Sequence, residues 1–177
     1  MDLLMTTTPP QVGILMGSDN DYEIMIEAGR ALHDFGIPFE MTVASAHRSP
    51  QRTSSYVRSA RQRGIKVLIA GAGAAAHLAG VVAAETILPV IAVPIDASAL
   101  HGLDALLAMV QMPAGIPVAT MAIGKAGARN AGILAAQIIA LADPAVALRL
   151  DAYKIELAAG VERRARTLEE RLQAENF

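Results

Sequence analysis

One of the four histidines of this chain stands beside an arginine in S-A-H-R-S-P (45–50), between a strand-like and a helix-like stretch. An imidazole has an ordinary pKa of about 6.5, so it can accept and return a proton near neutral pH. Serine followed by proline is a typical helix start, so structure explains Ser49 and Pro50 but not His47 and Arg48. General acid–base catalysis at His47 is one interpretation, and an ordinary surface histidine is the other.

A second polar segment, G-S-D-N-D (17–21), lies between the first strand-like run and a helix-like stretch. The free N–H groups at the start of a helix favour a phosphate group, and Arg48 from a neighbouring loop is suited to pair with the same phosphate. Ser18 either contacts this phosphate or caps the helix. Asp21 either binds sugar hydroxyl groups or caps as well.

The third segment, G-A-G-A-A-A-H (71–77), consists of small residues that let the backbone approach a ligand closely. It matches only half of the G-x-G-x-x-G pattern, and G-K (124–125) lacks the spacing of a phosphate-binding P-loop. His77 either caps the next helix or faces a site, whereas we interpret His101 and His33 as surface residues. No pair of histidines or carboxylates has metal-ligand spacing, so we predict no metal.

Apolar runs and helical periodicity predict the elements that position these segments. The predicted strands are 11–16, 39–44, 66–70, 90–94 and 118–123. The predicted helices are 22–35, 51–63, 78–86, 103–112, 128–142 and 144–177. Strict alternation indicates a parallel sheet in a three-layer α/β/α sandwich, with flavodoxin-like strand order. Because ligands bind beyond the carboxyl ends of such strands, the three polar segments are expected to meet at one edge of the sheet.

The chain is predicted to form one domain. Residues 1–10 are expected to be a flexible N-terminus, 11–143 the catalytic domain, and 144–177 a C-terminal helical arm of the same domain. The 128–142 helix is apolar nearly all round, so we expect it to be buried. The arm ends in E-R-R-A-R-T-L-E-E-R-L-Q-A-E, which indicates either a solvated helix or an arm that packs on a neighbouring subunit.

Composition narrows the possible partners. Hydrophobic residues make up 53% and charged residues 18% of the chain, which favours burial of helix faces against further copies of itself. The net charge of −2 and the lack of a basic tract argue against nucleic acid. The absence of cysteine suits a reducing cytoplasm. The apolar stretch 67–95 contains His77, Glu85 and two prolines, so we expect no membrane span and no membrane partner.

Four motifs occur in order between about Val12 and Ala142. They are M-G-S-D-N-D, S-A-H-R-S-P, A-G-A-G-A-A-A-H-L-A-G and V-Q-M-P-A-G-I-P-V-A-T-M-A-I-G-K-A-G-A-R-N-A. Together they resemble the class I N5-carboxyaminoimidazole ribonucleotide mutases of purine biosynthesis. The resemblance implies transfer of a carboxylate from an exocyclic nitrogen to carbon 4 of the aminoimidazole ring, through enclosed carbon dioxide. It implies no cofactor, metal or ATP, a homo-octamer, and possible transient contact with the synthetase that makes the substrate.

The resemblance also implies roles for individual residues. It makes His47 the general acid–base that protonates the departing nitrogen and later removes the proton from carbon 4. It assigns contacts to the phosphate and ribose to Ser18, Asp21 and Arg48, with Ser45 beside them.

The resemblance assigns the small-residue loop to the pocket for the carboxylate or carbon dioxide. The residues implied are Gly71, Ala72, Gly73 and His77. A small, dry cavity would retain carbon dioxide, which offers few polar handles. The sequence departs from the family pattern at Ala74, where glycine is usual, at Ala79, where proline is usual, and at Ala119, where glycine is usual.

Three alternatives to this function stay open on sequence alone. The first is a class II relative that carboxylates the free aminoimidazole nucleotide with carbon dioxide directly. The second is an enzyme of related fold that acts on another carboxylated nucleotide or heterocycle. The third is a nucleotide-binding protein without catalysis, which would have no need of a titrating group at His47.

Overall fold

A computed structural model describes residues 9–175, so most of the predicted flexible segment 1–10 lies outside the described residues. The strands are β1 (Val12–Met16), β2 (Phe39–Val43), β3 (Val67–Gly73), β4 (Val90–Ile95) and β5 (Ala119–Thr120). The helices are α1 (Tyr22–Asp34), α2 (Pro50–Ala60), α3 (Leu78–Ala84), α4 (Leu103–Val110), α5 (Lys125–Ala140) and α6 (Pro144–Ala174). Short 3₁₀ helices at Asp19–Asp21 and Arg61–Arg63 adjoin α1 and α2.

The five strands form one parallel sheet in the order β2-β1-β3-β4-β5. This is the flavodoxin-like order, so the predicted fold is confirmed. The hydrophobic core on one face of the sheet includes residues of α1, α5 and the start of α6. The core on the other face includes residues of α2, α3 and α4. The sheet is therefore the middle layer of the predicted sandwich, because the central strands β1, β3 and β4 are buried almost throughout.

Strand β5 is much shorter than the predicted strand 118–123. Its ladder with β4 pairs Ile91 with Ala119 and Ala92 with Thr120. The carbonyl oxygen of Pro94 accepts a hydrogen bond from the Gly124 N–H, so the backbone of Pro94 faces the β5 side of β4. Proline has no N–H, so β4 lacks a hydrogen-bond donor to β5 at this residue. The missing N–H explains why regular pairing ends at the second residue of β5.

Helix α5 begins three residues before the predicted start at 128 and is buried on one face only. Gly124 has a φ of +78°, a left-handed conformation that suits glycine and turns the chain into the helix. A side chain at Gly132 would meet the backbone of α1 at Ala28, so glycine lets the two helices approach closely. Asn130 and Gln137 lie exposed on the outer face, so the predicted burial of this helix holds for one face only.

Helix α6 begins at Pro144, with the Asp143 side chain accepting hydrogen bonds from two N–H groups of its first turn. Its first turns pack on the domain: Arg149 Nε donates to the Phe35 carbonyl at 2.7 Å, and the Tyr153 and Phe35 rings meet edge to face. No helix in the described residues 9–175 is long and apolar enough to span a membrane.

Candidate active site

A cleft of about 490 Å³ opens where the chain leaves the carboxyl ends of β1, β2 and β3. Eight of the nine predicted site residues line it. They are Ser18, Asp21, Ser45, His47, Arg48, Ala72, Gly73 and His77. The structure thus brings three separate polar segments to one edge of the sheet, as expected for a parallel α/β fold. The roles implied for these residues stay predictions.

The two histidines of the cleft are in direct contact. Nε2 of His47 lies 2.8 Å from Nδ1 of His77, and the ring planes are nearly perpendicular. A donor must face an acceptor at this distance, so the two imidazoles share one hydrogen. His77 occupies the residue before α3 but makes no capping hydrogen bond with its side chain. Its position is therefore explained by the contact with His47 and not by helix capping.

Ser18 and Asp21 form a capping box at the start of the first helical segment. The Asn20 N–H donates to Ser18 Oγ, and the Ser18 N–H donates to a carboxylate oxygen of Asp21. Burial raises the pKa of the Asp21 carboxyl, and the hydrogen bond from Ser18 and the charge of Arg48 partly offset this. Capping and ligand binding are compatible here, because both residues also line the cleft.

The S-A-H-R-S-P loop is held by its own side chains. Ser45 Oγ accepts a hydrogen bond from the Arg48 N–H, and Ser49 Oγ donates to the Ser45 carbonyl. Ser49 lies at the cap position of α2, as the predicted helix start requires, but its side chain makes no capping hydrogen bond. Pro50 does occupy the first helical turn as predicted.

The Arg48 guanidinium reaches across to the loop that follows β1. Its NH2 group donates to the Gly17 carbonyl at 2.9 Å, which places the positive charge beside Ser18. Arg48 therefore lies beside Gly17 and Ser18, and its pairing with a phosphate there stays a prediction. A guanidinium has further N–H groups that are able to bind an anion in the same place.

The small-residue loop after β3 forms the apolar wall of the cleft. Ala74 and Ala76 have φ values of +53° and +48°, a left-handed region that costs an alanine about 1–2 kcal/mol. A side chain at Gly73 would collide with Ala97 of the loop after β4, so glycine allows the two loops to touch. Gly71 does not line the cleft. A side chain there would overlap the Met25 sulfur, so this glycine serves the packing of α1.

Several residues that line the cleft were not among the predicted site residues, although most belong to the predicted segments. They are Gly17, Asn20, Ala46, Ala74, Ala75, Ala76, Leu78 and Ala97. Most of them have no reactive group, so residue chemistry gave no signal. Their positions did give one, because Ala97 follows β4 at the same edge of the sheet and the alanines continue the loop after β3. The remaining predicted surface residues, His33 and His101, lie outside the cleft and are exposed.

The arrangement combines three chemical capacities. The imidazole pair offers a proton donor and a proton acceptor in direct contact. Ser18, the start of the first helical segment and Arg48 offer hydrogen-bond donors for an anionic group. Ala72 and Ala76 are nearly buried and give the cleft an apolar wall. The cleft is open to solvent in the single chain, since His47, Arg48 and His77 are all exposed.

Known proteins resemble this chain in both sequence and fold. Residues 11–159 match the family described as AIR carboxylase. A Pyrococcus horikoshii protein named N5-carboxyaminoimidazole ribonucleotide mutase is 51% identical over 96% of this chain and 95% of its own length. A Bacillus subtilis protein of the same name is 56% identical over 80% of this chain and 88% of its own. The crystal structure of Treponema denticola PurE superposes with a TM-score of 0.82 at 28% identity, covering 90% of this chain and 98% of that one. The chain therefore belongs to the AIR carboxylase family.

Proposed function

We propose that this chain converts N5-carboxyaminoimidazole ribonucleotide into 4-carboxyaminoimidazole ribonucleotide, an isomerase reaction of purine biosynthesis. The relatives named for this activity match nearly the whole chain. The observation that carries the proposal is the convergence of His47 with the Ser18–Arg48 anion site in one cleft. The substrate needs these two features side by side, because it joins a phosphate-bearing ribose to a ring that must gain and lose a proton.

His47 acts as the general acid and then as the general base. In the first half the bond between the exocyclic nitrogen and the carboxylate carbon breaks, carbon dioxide leaves, and His47 donates a proton to the nitrogen. In the second half carbon 4 attacks carbon dioxide and a carbon–carbon bond forms. Neutral His47 then removes the hydrogen from carbon 4, so the proton count balances over the cycle.

The remaining polar residues of the cleft hold the nucleotide. Ser18 Oγ, the N–H groups that follow it and the Arg48 guanidinium bind the phosphate, and the Asp21 carboxylate accepts a hydrogen bond from the ribose. Ser45 keeps Arg48 in place through the bond to its N–H. These contacts are the same in both halves of the reaction, so they hold the free aminoimidazole nucleotide while carbon dioxide is unattached.

Retention of carbon dioxide calls for a more closed cleft than the single chain provides. The wall formed by Ala72, Gly73 and Ala76, with His77 at its rim, is suited to the uncharged gas. We propose that the enzyme works as a cytoplasmic homo-octamer without cofactor or metal. Assembly would cover the apolar surface of the chain and restrict the opening of the cleft. Contact with the synthetase that supplies the labile substrate is part of this proposal.

Two parallel reactions without ATP or added metal test the proposed function. One starts from N5-carboxyaminoimidazole ribonucleotide at low bicarbonate, and the other from the free aminoimidazole nucleotide with bicarbonate. Formation of 4-carboxyaminoimidazole ribonucleotide in the first supports the mutase. Product only in the second would make the chain a carboxylase that uses carbon dioxide directly. Nucleotide binding without product in either would leave a binding protein and contradict a catalytic role for His47.

A further inference from the structure

Helix α6 is longer than the part of the domain on which it packs. Its 31 residues span about 46 Å at the usual rise of an α-helix. Val146 and Leu150 near its start are buried in the core beside α1 and α5. From residue 154 onward the helix is exposed almost without interruption. The second half of α6 therefore extends beyond the rest of the described chain.

The apolar face of α6 does not stop where the domain stops. Apolar residues recur every 11 residues, which is about three helical turns, so they form two straight lines along one face. The lines are Val146, Leu157 and Leu168, and Leu150, Val161 and Leu172. The first member of each line is buried, whereas the later members are 44–58% exposed. We call the exposed set Leu157, Val161, Leu168 and Leu172 the distal seam.

Charged residues on the two sides of the distal seam indicate the kind of partner. Helical geometry places Arg164 and Arg171 along one side and Glu162 and Glu169 along the other. A helix that lies on an anionic lipid surface carries cations beside its apolar face, so acidic residues on one side disfavour a membrane. Basic residues on one side of an apolar face and acidic residues on the other are typical of a helix that packs on protein.

Two copies of the distal seam are poorly matched to each other. An antiparallel pair would place Arg164 and Arg171 beside the same arginines of the other copy, and Glu162 beside Glu169. Like charges so placed repel. A parallel pair would force both domains into the space between the two helices, because each domain lies on the seam side of its own α6. The seam therefore needs a different apolar surface.

Helix α4 and the turn before it offer such a surface. Leu100, Leu103, Leu107 and Val110 follow helical spacing and are 48–61% exposed. The one charged residue of α4, Asp104, is bonded to Ser98 Oγ at 2.7 Å and to the Ala105 N–H. The outer face of α4 is thus apolar without a competing charge. Because α4 and α6 pack on opposite faces of the sheet, α6 cannot reach α4 of its own chain.

We propose that the distal seam of one copy packs on the outer α4 face of a second copy. Each chain carries one donor surface and one acceptor surface, so two copies related by a two-fold axis exchange the contact reciprocally. The contact specifies one interface of the assembly proposed above. Its test depends on subunit contacts and not on turnover, so failure of the proposed activity would leave it intact.

Molecular mass in solution tests the two surfaces. In sedimentation velocity, the double variant Val161→Glu/Leu168→Glu and the α4 variant Leu107→Glu are each expected to give a smaller assembly than the parent. The matched control is Ile155→Glu, an exposed isoleucine on the opposite side of α6, which should keep the parental mass. Far-UV circular dichroism verifies folding. A monomeric parent, or seam variants of parental mass, would overturn the proposal.

Cross-linking identifies the acceptor surface directly, because the chain has no cysteine of its own. Protein carrying Leu168→Cys is mixed with protein carrying Leu107→Cys, allowed to exchange subunits and oxidised. A disulfide-linked dimer of the two is expected. The pair Ile155→Cys and Leu107→Cys should give none. Cross-links between two Leu168→Cys chains alone would show that α6 pairs with itself, and equal cross-linking in the control would equally contradict the assignment to α4.

Discussion

Two clusters of titratable side chains lie at opposite ends of the same sheet, and they differ in what their polar atoms face. Near the amino ends of β1 and β2, Arg63 pairs with Glu40 and lies 4.6 Å from the centre of the Tyr56 ring. Burial and the nearby Glu40 raise the pKa of the Tyr56 hydroxyl well above its ordinary value. At the carboxyl ends, His47 and His77 contact each other but stay open to a cleft.

A shifted pKa alone does not identify a catalytic group. Arg63 and Glu40 pair with each other beside the Tyr56 ring, and the Tyr56 hydroxyl is buried without a hydrogen-bond partner, so its raised pKa reflects packing of α2 on the sheet. The cleft has room, a shared proton and an arginine beside a helix start, although its histidines are exposed. Burial, neighbouring charges and hydrogen bonds each shift a pKa, whereas a site also requires access and convergent groups.

The largest predicted effect separates catalysis from stability. His47→Asn is expected to lower kcat about 10³-fold, since the variant cannot transfer a proton at the ring. Nucleotide binding and thermal stability should change little, because the side chain is exposed. Steady-state assays and calorimetric titration with the free aminoimidazole nucleotide measure both. Turnover within tenfold of the parent would refute the role given to His47.

The neighbouring histidine provides the matched variant. His77→Asn is expected to lower kcat by about tenfold or less, because a single exposed hydrogen bond contributes only about 1 kcal/mol to holding the His47 ring. Asparagine also keeps a donor and an acceptor near His47. Equal losses in the two variants would mean that the pair acts as one catalytic unit, and the distinction drawn between them would fail.

Changes near the cluster of Tyr56, Arg63 and Glu40, here called the Tyr56 cluster, are expected to lower stability and leave catalysis unchanged. A side chain at Gly13 would lie 2.5 Å from Tyr56 Oη and 2.9 Å from Leu68 Cδ2. Gly13→Ala should therefore lower the free energy of unfolding by about 1–3 kcal/mol and leave kcat unchanged at moderate temperature. Thermal and urea unfolding measure the loss. Adding Tyr56→Phe removes the nearest atom and should restore part of the stability.

A second glycine controls for glycine replacement as such. At Gly17 the nearest atom to an added side chain is 3.9 Å away, in ordinary contact. Gly17→Ala should keep the melting temperature within about 2 °C of the parent. Equal destabilisation at both positions would show that crowding against Tyr56 is not the cause of the loss at Gly13.

Sequence predicted the sheet because its strands are buried on both sides and appear as continuous apolar runs. It failed where glycine was taken as the end of a strand: β3 continues through Gly71 to Gly73, paired with β4 as far as Ile95. It failed again at α5, whose start was placed at 128 although Gly124 turns the chain into the helix. Glycine permits turns and close packing alike, so its type alone does not distinguish them.

The candidate site, like the fold, was predicted from the sequence only in part. The loops converged as predicted because strand direction fixes which loops share an edge of the sheet. The contact between His47 and His77 could not be predicted, since the residues lie on different loops and their side-chain directions depend on tertiary packing. Gly71 was assigned to the pocket by resemblance, but its neighbour Met25 on α1 is visible only in three dimensions.

A smaller effect follows from the pKa of Tyr56. Because the folded chain holds this proton more tightly than the unfolded chain, stability falls as the pH rises above the ordinary tyrosine pKa of 10.0. Tyr56→Phe removes that loss. The parent should therefore lose about 1 kcal/mol more than the variant between pH 8 and pH 11, measured by urea unfolding. An identical loss in both proteins would show that Tyr56 ionises as easily in the folded chain as in the unfolded one.

The smallest predicted effect lies in the cleft wall, where Ala74 has a left-handed backbone conformation. Ala74 has a φ of +53°, so glycine fits its backbone better. Ala74→Gly should relieve strain that outweighs the added freedom of the unfolded chain, for a net gain of about 0.5–1 kcal/mol and a melting temperature about 1–4 °C higher. Ala75→Gly is the control, because Ala75 is also exposed and has no positive φ. It should lose about 0.5–1 kcal/mol by the ordinary entropic cost of glycine. If both variants lose stability alike, the left-handed turn at Ala74 is not strained. If only Ala74→Gly gains, the alanine in this family position has a measurable cost in stability at the wall of the proposed carbon dioxide pocket.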